Sequence, residues 1–471
     1  MPLKIFANTL FAQQPVQTAP LPFIRLPHLG VIFMKNHPNR RQFMATTAAV
    51  GTVAALQYHV SSAPAQESKS TLNKLRIAGI GTTAQAAYDL SNVASEDLVC
   101  LADVDSNLLA KGSQPYPNAR KYKDFRVMLE KEGDKIDAVV VATPDHTHAP
   151  AAAMALRMGK HVYCEKPLTH TVFEARTLAN LAKEKKLVTQ MGTQIHAGDN
   201  YRRVVELIQS GAIGDVTEVH VWAGASYTGG KFTTGTKAPD SLDWDLWLGP
   251  AAERPYSDGV HPFQWRKFWD YGTGALGDFG CHFMDLVHWA LDLRAPTSVE
   301  AAGTPVDPVT PPGFCQATYE YPARGNKPAL KLFWYDSGRR PPLLATLKGP
   351  DGKPYEFSGG QLFVGSKGMV LSDYGRNILL PEDKFVGFKR PDATIPASIG
   401  HHKEWLNAIR TGGPTTCNFD YSGALTEAVL LGTVAYRAGE KIQWDAANLK
   451  VTNSEKAQNL IHKEYRKGWT L

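Results

Sequence analysis

The sequence is poor in cysteine: its 471 residues include only five, and no two of them form a C-x-x-C pair. The five are scattered along the chain: Cys100, Cys164, Cys281, Cys315 and Cys417. An odd and unclustered set argues against a disulfide framework and against a thiolate zinc site. We therefore interpret the cysteines as small buried apolar residues, and we expect no metal centre.

An excess of charge of one sign is also missing. The formal net charge is +6, and the sequence has no basic run of the kind that binds nucleic acid. Hydrophobic residues make up 43% and charged residues 20% of the chain, which is typical of a soluble protein. A nucleic-acid partner is therefore not expected, and the length is sufficient for two or three domains.

Residues 1–65 lack the pattern of a folded domain and are predicted to be a leader. Arg40 and Arg41 precede a weakly apolar run that is too short to cross a bilayer, and an A-x-A sequence then offers a cleavage site before Gln66. This pattern resembles a twin-arginine export signal, which predicts a periplasmic or secreted bacterial protein. A disordered tail is the alternative. Met34 is a second candidate for the translation start, and no integral membrane segment is expected in the mature chain.

From residue 72 to residue 194, short apolar runs alternate with helical stretches. The runs "LRIAGIG", "EDLVCLADVD", "KIDAVVVATP" and "KHVYCEKP" have the composition of strands, and "TVFEARTLANLAKEKK" has that of a helix. Alternating strands and helices predict right-handed βαβ units and a parallel sheet. We therefore predict an α/β, doubly wound domain over residues 72–194.

Residues 195–450 are richer in Trp, Tyr, Gly and Pro, and their strand patterns alternate. They are predicted to form an α+β domain on a mainly antiparallel sheet, for substrate binding and oligomerisation. Within it, "ALGDFGCHFMDLVHWALDL" predicts an amphipathic helix. Residues 451–471 are assigned as a C-terminal tail, and a homo-oligomer is expected.

A GxGxxA turn lies between the first predicted strand and the first predicted helix, where a dinucleotide-binding turn is required. Gly79 permits the tight turn, Gly81 lets the backbone approach a pyrophosphate, and Ala84 in the third place is expected to be harmless. Asp103 ends the second strand, at the position of a ribose-binding carboxylate, which favours NAD over NADP. Asp105 is the competing acid, and its alternative role is a solvated helix cap.

The stretch "ATPDHTHAP" follows another strand, at the rim of the sheet where ligands gather. Asp145 and Thr147 could either face a ligand there or cap the next helix. His146 and His148 are two residues apart but have no clear carboxylate partner, so a metal site is not expected.

The stretch "YCEKP" ends a further strand at the same rim. We expect Lys166 to point toward the nicotinamide end of the cofactor, where burial and neighbouring groups adjust its pKa toward acid–base work. Glu165 is expected to hold this lysine in place. The alternative is an exposed ion pair of little energetic value.

The predicted helix after residue 274 carries possible partners for that lysine. Its helical spacing places four side chains on one face: Asp278, His282, Asp285 and Trp289. A second face is predicted to be core: Phe279, Phe283, Leu286 and Ala290. Asp278 and His282 lie one turn apart and could bind a substrate hydroxyl and relay its proton. His288 is expected to be a hydrogen-bonded core residue.

Taken together, "GIGTTA", "ATPDHTHAP", "GKHVYCEKPLTHTVFEA" and "GTGALGDFGCHFMDLVHWAL" resemble the glucose-fructose oxidoreductase / inositol dehydrogenase (Gfo/Idh/MocA) superfamily. The C-terminal stretch that begins "HHKEWLNAIRTGG" is similar to its secreted bacterial branch. The likeness extends over nearly everything from Leu72 onward. It implies a Rossmann domain, a larger domain with an open sheet, bound NAD(P) and a sugar or polyol substrate.

The resemblance also implies roles for individual residues. The catalytic residues would be Lys166, Asp278 and His282. The phosphate turn would be Gly79, Gly81 and Ala84, with Asp103 as the ribose acid. The residues lining the cofactor would be Thr143, Pro144, His148 and Glu165, with Gln194 near the nicotinamide.

Two enzymatic functions are compatible with this pattern. The first is an oxidoreductase that moves hydride between NAD and a sugar or polyol carbon, with a tightly held cofactor. The second is an NAD-dependent glycosidase or lyase that oxidises the ring transiently and regenerates the cofactor. A non-catalytic sugar-binding protein is a third alternative. Five residues are candidates for sugar contacts, with packing as an equal alternative: Trp222, Tyr227, His261, Trp265 and Arg266.

Overall fold

The structure is a computed structural model, and it describes residues 74–471. The predicted leader, its paired arginines, the cleavage site and Met34 all lie outside the described residues. Among the helices of residues 74–471, none is both long and apolar enough to span a bilayer.

The first domain is built on a six-stranded sheet in the order β3-β2-β1-β4-β5-β6, and every neighbouring pair is parallel. Its strands are β1 Arg76–Ile80, β2 Asp97–Ala102, β3 Arg120–Tyr122, β4 Ala138–Val141, β5 His161–Cys164 and β6 Thr189–Met191. The central strand β4 is buried along its whole length, as expected for a sheet covered on both faces. The predicted parallel α/β domain is confirmed.

Helices connect these strands. They are α1 Gln85–Asn92, α2 Ser106–Gly112, α3 Phe125–Glu132, α4 Asp145–Arg157 and α5 Val172–Lys185. The start of α5 follows directly from its sequence, because Thr171 and Glu174 form a reciprocal capping box. Because the strands are parallel, the carboxyl ends of β1, β2, β4 and β5 share one rim of the sheet.

The second domain contains a nine-stranded sheet in the order β13-β12-β11-β7-β10-β9-β8-β14-β15. Its strands are β7 Val216–Trp222, β8 Ser298–Gly303, β9 Cys315–Tyr321, β10 Leu330–Tyr335, β11 Gly360–Gly365, β12 Met369–Ser372, β13 Asn377–Leu380, β14 Ile442–Asp445 and β15 Lys450–Val451. Only the β7–β10 pair is parallel, so the predicted mainly antiparallel sheet is confirmed.

The helices of the second half pack on this sheet and on the first domain. They are α6 Asp199–Gln209, α7 Trp244–Leu248, α8 Gly274–Leu291, α9 His401–Thr411, α10 Phe419–Ala438 and α11 Glu455–Gln458. Helix α8 contacts α6, α10, β7 and β11. It is therefore buried on nearly all sides rather than amphipathic, and the apolar positions of its sequence do not single out one face.

The chain returns to the first domain near its C-terminus. His402 of α9 stacks on Tyr163 of β5 at a ring distance of 4.7 Å, and Trp405 is fully buried in the same cluster. Further on, the Trp469 ring lies 4.1 Å from the Arg126 guanidinium. Residues predicted to belong to the second domain and the C-terminal tail therefore pack against β5 and α3 of the first domain.

His288 is a buried core residue, as expected, and its Nε2 lies 3.0 Å from the Tyr321 hydroxyl. Burial lowers the pKa of His288 from 6.5 to about 3. Between about pH 3 and pH 6.5, the unfolded chain therefore binds more protons at this imidazole than the folded protein does. The free energy of unfolding consequently falls as the pH drops below 6.5.

We expect His288→Gln to be less stable than the wild type at pH 7. The difference should shrink by about 1.4 kcal/mol for each pH unit between 6.5 and 4, because only the wild type carries this proton penalty. Urea unfolding at several pH values measures the difference. His462→Gln, an exposed position, is the control and should show no such narrowing. A constant difference across the range would contradict the assignment of His288 as a buried neutral imidazole.

Candidate active site

A cleft of about 400 Å³ lies at the carboxyl rim of the parallel sheet. Both domains line it. Its wall includes Gly81, Thr82, Asp103, Phe125, Thr143, Asp145, Lys166, Leu246, Trp247, His261, Phe263, Trp265 and Arg266. This is the rim at which an open parallel sheet binds its ligands.

The glycine turn closes one end of the cleft. Gly81 has a φ of 92°, and a Cβ added to it would lie 2.4 Å from the Ala142 carbonyl oxygen, so a side chain is excluded there. Helix α1 starts immediately afterwards, and the residue before it makes no side-chain cap. The Ala86 N–H donates to the Thr83 carbonyl oxygen (3.1 Å), so the Gln85 N–H and the positive end of the α1 dipole are what the helix offers an anionic ligand such as a pyrophosphate.

Asp103 follows β2 and faces the turn. Its Oδ2 accepts hydrogen bonds from the Thr82 hydroxyl (2.7 Å) and the Thr82 N–H (3.2 Å). Burial raises the pKa of Asp103. Asp105 caps α2 by accepting from the Asn107 N–H (2.9 Å), and it also lies 3.1 Å from His261 Nε2. Asp105 is therefore a helix cap, but a buried one rather than a solvated one.

Ala84, which was expected to replace the third glycine of the turn without cost, adopts an unfavourable backbone conformation. It has a φ of 52° and a ψ of −119°, a backbone conformation that favours glycine, and it is exposed rather than packed against the sheet. A non-glycine residue in such a conformation costs about 1–3 kcal/mol. The third position of the turn therefore carries backbone strain.

We expect Ala84→Gly to raise the free energy of unfolding by about 1 kcal/mol, because glycine removes the strain but adds freedom to the unfolded chain. Ala87→Gly, at an exposed position inside α1, should instead lower it by about 1 kcal/mol. Thermal and urea unfolding of the two variants measure the contrast. Equal destabilisation by both substitutions would show that Ala84 is not strained.

Thr143, Pro144 and His148 form the neighbouring part of the rim. His148 is fully buried, with Nδ1 at 2.8 Å from the Pro167 carbonyl oxygen and Nε2 at 2.8 Å from the Thr143 carbonyl oxygen. Its ring thus ties the end of β5 to the turn after β4. Thr143, Pro144 and His148 all line the cleft, and His148 also holds Thr143 in place.

Lys166 lines the same cleft as the glycine turn, two residues beyond the end of β5. Its Nζ forms a buried ion pair with Asp278 Oδ1 of α8. Burial alone would lower the pKa of Lys166, but the Asp278 carboxylate outweighs it and holds that pKa above its ordinary value. The expectation that neighbouring groups bring this pKa down was therefore wrong in direction, and Lys166 is a charged ammonium.

Glu165 does not hold the ammonium group. Its Oε1 accepts hydrogen bonds from Gln194 Nε2 (2.6 Å) and Gln85 Nε2 (3.3 Å), and its Oε2 accepts from the Lys166 backbone N–H (3.3 Å). Burial keeps the pKa of Glu165 well above its usual range. Glu165 therefore binds the backbone N–H of Lys166, whereas Asp278 positions the Lys166 side chain. Gln194 reaches the site only through Glu165.

His282 lies one turn beyond Asp278 on α8. Burial and the nearby Lys166 charge lower the pKa of His282 to about 3, so the imidazole is neutral. Its Nδ1 is buried and has no partner within residues 74–471. Nε2 is therefore the nitrogen through which this ring can meet a ligand.

Phe279 is a site residue that its sequence pattern did not reveal. As predicted, Phe279 packs against the core, where its ring stacks on that of Phe283. It is only partly buried, however, and its ring also lies 5.8 Å from Lys166 Nζ and 6.4 Å from the ring of Tyr227. Helical spacing could not separate it from the core positions, because α8 is buried on most of its surface.

Asp145 and Thr147 are not caps, because α4 begins at Asp145 itself and its N-cap is Pro144. Asp145 Oδ2 accepts a hydrogen bond from the Thr273 hydroxyl (2.8 Å). Burial, together with the Asp278 charge, raises the pKa of Asp145 to about 7. Asp145 therefore adds a second carboxyl group beside the Lys166–Asp278 pair.

Of the five candidates for sugar contacts, one belongs to the core and four lie in or near the cleft. Trp222 is fully buried, with its indole N–H donating to the Phe357 carbonyl oxygen, so it is core. Tyr227, His261 and Arg266 are partly exposed near the cleft, and Trp265 is buried in its wall.

Asp285 and Trp289 turn away from the site. Asp285 lies 2.9 Å from His196 Nδ1, and Trp289 stacks on the same imidazole at 4.0 Å. His196, Asp285 and Cys417 form a buried group whose ligand atoms lie within 4.8 Å of one another. The His196–Asp285 hydrogen bond and the Tyr421 hydroxyl on Asp285 (2.7 Å) already satisfy the carboxylate, so this is a packed polar core.

The cleft fits a dinucleotide. Its glycine turn and uncapped α1 start suit the pyrophosphate, Asp103 suits a ribose hydroxyl, and the Lys166–Asp278 pair brings a charged ammonium to the same cleft. The fold and the site together place the protein in the class of NAD-binding Rossmann proteins.

The sequence profile described as "Oxidoreductase family, NAD-binding Rossmann fold" matches residues 74–193. The profile of the same family's "C-terminal alpha/beta domain" matches residues 198–358. Together they cover more than half of the chain. The protein belongs to this family, Gfo/Idh/MocA.

Curated relatives match over part of their length. The chain is 27% identical over 196 residues to a levoglucosan dehydrogenase of Pseudarthrobacter phenanthrenivorans, covering 40% of this chain and 41% of that protein. It is 29% identical over 162 residues to a D-xylose 1-dehydrogenase [NADP(+)] of Haloarcula marismortui, covering 33% and 44%. The chain thus spans less than half the length of these two relatives.

A solved structure shares the whole fold. A levoglucosan dehydrogenase in complex with NADH and levoglucosan superposes with a TM-score of 0.52 at 19% identity, covering 78% of this chain and 99% of that one. At this identity the likeness shows the fold alone.

Proposed function

We propose that the protein is an NAD-dependent oxidoreductase that transfers a hydride between the cofactor and a ring or chain carbon of a sugar or polyol. The observation that carries this proposal is the Lys166–Asp278 ion pair, with His282 one helical turn away, at the cleft that the phosphate turn also lines. The levoglucosan and D-xylose dehydrogenases among its relatives support the substrate class.

Bound NAD would supply the hydride acceptor. The chain's own residues would handle the hydroxyl group of the substrate. Lys166 Nζ, charged and held by Asp278, would hold the hydroxyl oxygen and stabilise negative charge on it. His282, neutral and open at Nε2, would take the hydroxyl proton during oxidation and return it during reduction.

The test is to incubate the purified protein, without added NAD, with matched sugars, polyols and glycosides. We expect one equivalent of reduced nicotinamide per bound cofactor, with further turnover only when an electron acceptor or a second sugar is supplied. Repeated glycoside cleavage without lasting reduction of the cofactor would instead establish the redox-neutral glycosidase or lyase reaction and overturn the proposal.

We also propose that the protein is exported through a twin-arginine signal and assembles as a homo-oligomer. Arg40 and Arg41 before a short apolar run support the export route. Mass spectrometry of secreted protein should find an N-terminus near Gln66, and lysine at both arginine positions should block export. Light scattering of the mature protein measures its assembly, and a monomeric mass would contradict the second part.

A further inference from the structure

Arg266 occupies the wall of the cleft on the substrate domain, in a 3-10 turn over Gln264–Lys267. Its guanidinium lies 4.1 Å from the centre of the Trp265 ring and 4.7 Å from that of Phe263. Its side chain is 23% exposed. The two rings hold the planar group in place at the edge of the open space.

The guanidinium has no hydrogen-bond acceptor among residues 74–471. The closest carboxylate oxygen, Asp278 Oδ2, is 3.6 Å from Arg266 Nε, too far for a hydrogen bond, and Asp278 is already paired with Lys166 through Oδ1. Arg254, in contrast, also lies on a ring, Phe232, but donates to Asp270 at 2.9 Å. Arg266 is thus a half-buried, oriented cation whose donors are free.

The charges around this end of the cleft are not balanced. Lys166 and Arg266 are two cations that share one ionised partner, Asp278. Asp145 faces them, but burial and the Asp278 charge raise its pKa to about 7, so its carboxyl, which is bound to Thr273, carries only part of a negative charge at neutral pH. His282 is neutral, and the Tyr227 phenol has a raised pKa because of burial and the Asp278 charge. A substrate with a negative group would complete the set.

We propose that Arg266 binds a carboxylate of the substrate, so that the preferred substrates are sugar acids rather than neutral sugars. This rests on the proposed oxidoreductase function. A guanidinium with free donors binds a carboxylate through two parallel hydrogen bonds, a geometry that neutral hydroxyl groups do not match. Arg266 lies beside the Lys166–Asp278 pair, whereas the features suited to a pyrophosphate are Gly81 and the start of α1.

The test compares wild type, Arg266→Gln and Arg266→Lys, each loaded with NAD. Calorimetry would measure the binding of paired ligands: hexuronates and aldonates against the corresponding neutral hexoses and alditols. We expect Arg266→Gln to weaken acid binding by about 100-fold and neutral binding by less than about 3-fold, with Arg266→Lys in between. Arg339→Gln is the control, because Arg339 is exposed, lies 4.2 Å over Phe314 and is outside the cleft.

The outcomes separate this proposal from the proposed function. Equal affinity for acids and neutral sugars in the wild type, or an equal loss of both in Arg266→Gln, would overturn the role of Arg266 even if hydride transfer is observed. A loss of NAD affinity in Arg266→Gln comparable to the loss of acid binding would also overturn it. Acid binding that depends on Arg266, without reduction of bound NAD by any sugar, would support Arg266 and overturn the oxidoreductase function.

Discussion

Lys166→Met should reduce turnover by about 10²–10⁴-fold while the folded protein keeps nearly all of its NAD. Methionine has a similar length but carries neither a proton nor a charge, so the hydroxyl oxygen of the substrate loses its cationic partner. The buried Asp278 carboxylate loses its partner as well, so the variant should be less stable than the wild type. The hydrogen bonds between Thr82 and Asp103 at the phosphate turn do not involve Lys166 and are kept.

The measurement is the rate of reduced-nicotinamide formation in a single turnover, beside the amount of NAD that copurifies. Lys185→Met is the matched control, since Lys185 is 40% exposed and forms a surface ion pair with Glu184. It should retain wild-type turnover. A Lys166→Met protein with wild-type rates would remove this lysine from the chemistry, and one without NAD would place it in cofactor binding instead.

The course of the chain through the first domain was predictable because its signals are local. Four strands and the helix from Val172 were visible as short apolar runs and 3.6-residue patterns, and the glycine turn lies where the first strand meets a helix. The rule that ligands gather at the carboxyl ends of parallel strands then placed Lys166 in the cleft.

The contacts inside the site were not predictable in the same way, because they join residues far apart in sequence. The partner of Lys166 is 112 residues away on α8, and nothing local to "YCEKP" distinguishes Asp278 from Glu165 as that partner. Adjacency favoured Glu165, but successive residues at the end of a strand point to opposite faces. Glu165 therefore turns toward Gln194, while Lys166 turns toward α8.

Burial was the second source of error. The pKa of a buried lysine falls when it is alone and rises when a carboxylate accompanies it, so the sign depends on a contact that the sequence does not show. Likewise, the strain at Ala84 arises from the backbone conformation of the turn, and Phe279 is distinguished from the core only by where α8 lies.

Asp278→Asn should destabilise the folded protein by about 3–5 kcal/mol at pH 7, because it leaves the buried Lys166 ammonium without its counter-charge. Arg266 loses its nearest carboxylate in the same variant. Turnover should fall as well, since Asp278 is the group that positions Lys166 Nζ.

The pH dependence of this loss has a defined sign. In the wild type the Asp278 carboxylate holds the pKa of Lys166 above 10.5, so the pair stabilises the fold below that pH and the contribution is lost as pH rises through the folded pKa. In Asp278→Asn burial is no longer opposed, and the pKa of Lys166 should fall below 10.5. The unfolded chain then binds more protons, so the variant should regain stability between pH 7 and pH 10.

Urea unfolding of the two proteins at pH 7, 8, 9 and 10 measures both effects. Asp270→Asn is the control, because it breaks an ion pair with Arg254 in which both side chains are 38% exposed, and it should cost less than about 1 kcal/mol with little dependence on pH. If Asp278→Asn were no more destabilising than Asp270→Asn, the buried pair would not hold Lys166 charged. A deficit that stayed constant from pH 7 to pH 10 would show that the ammonium finds another counter-charge, and Glu165 and Asp145 are the other carboxyls whose charge acts on Lys166.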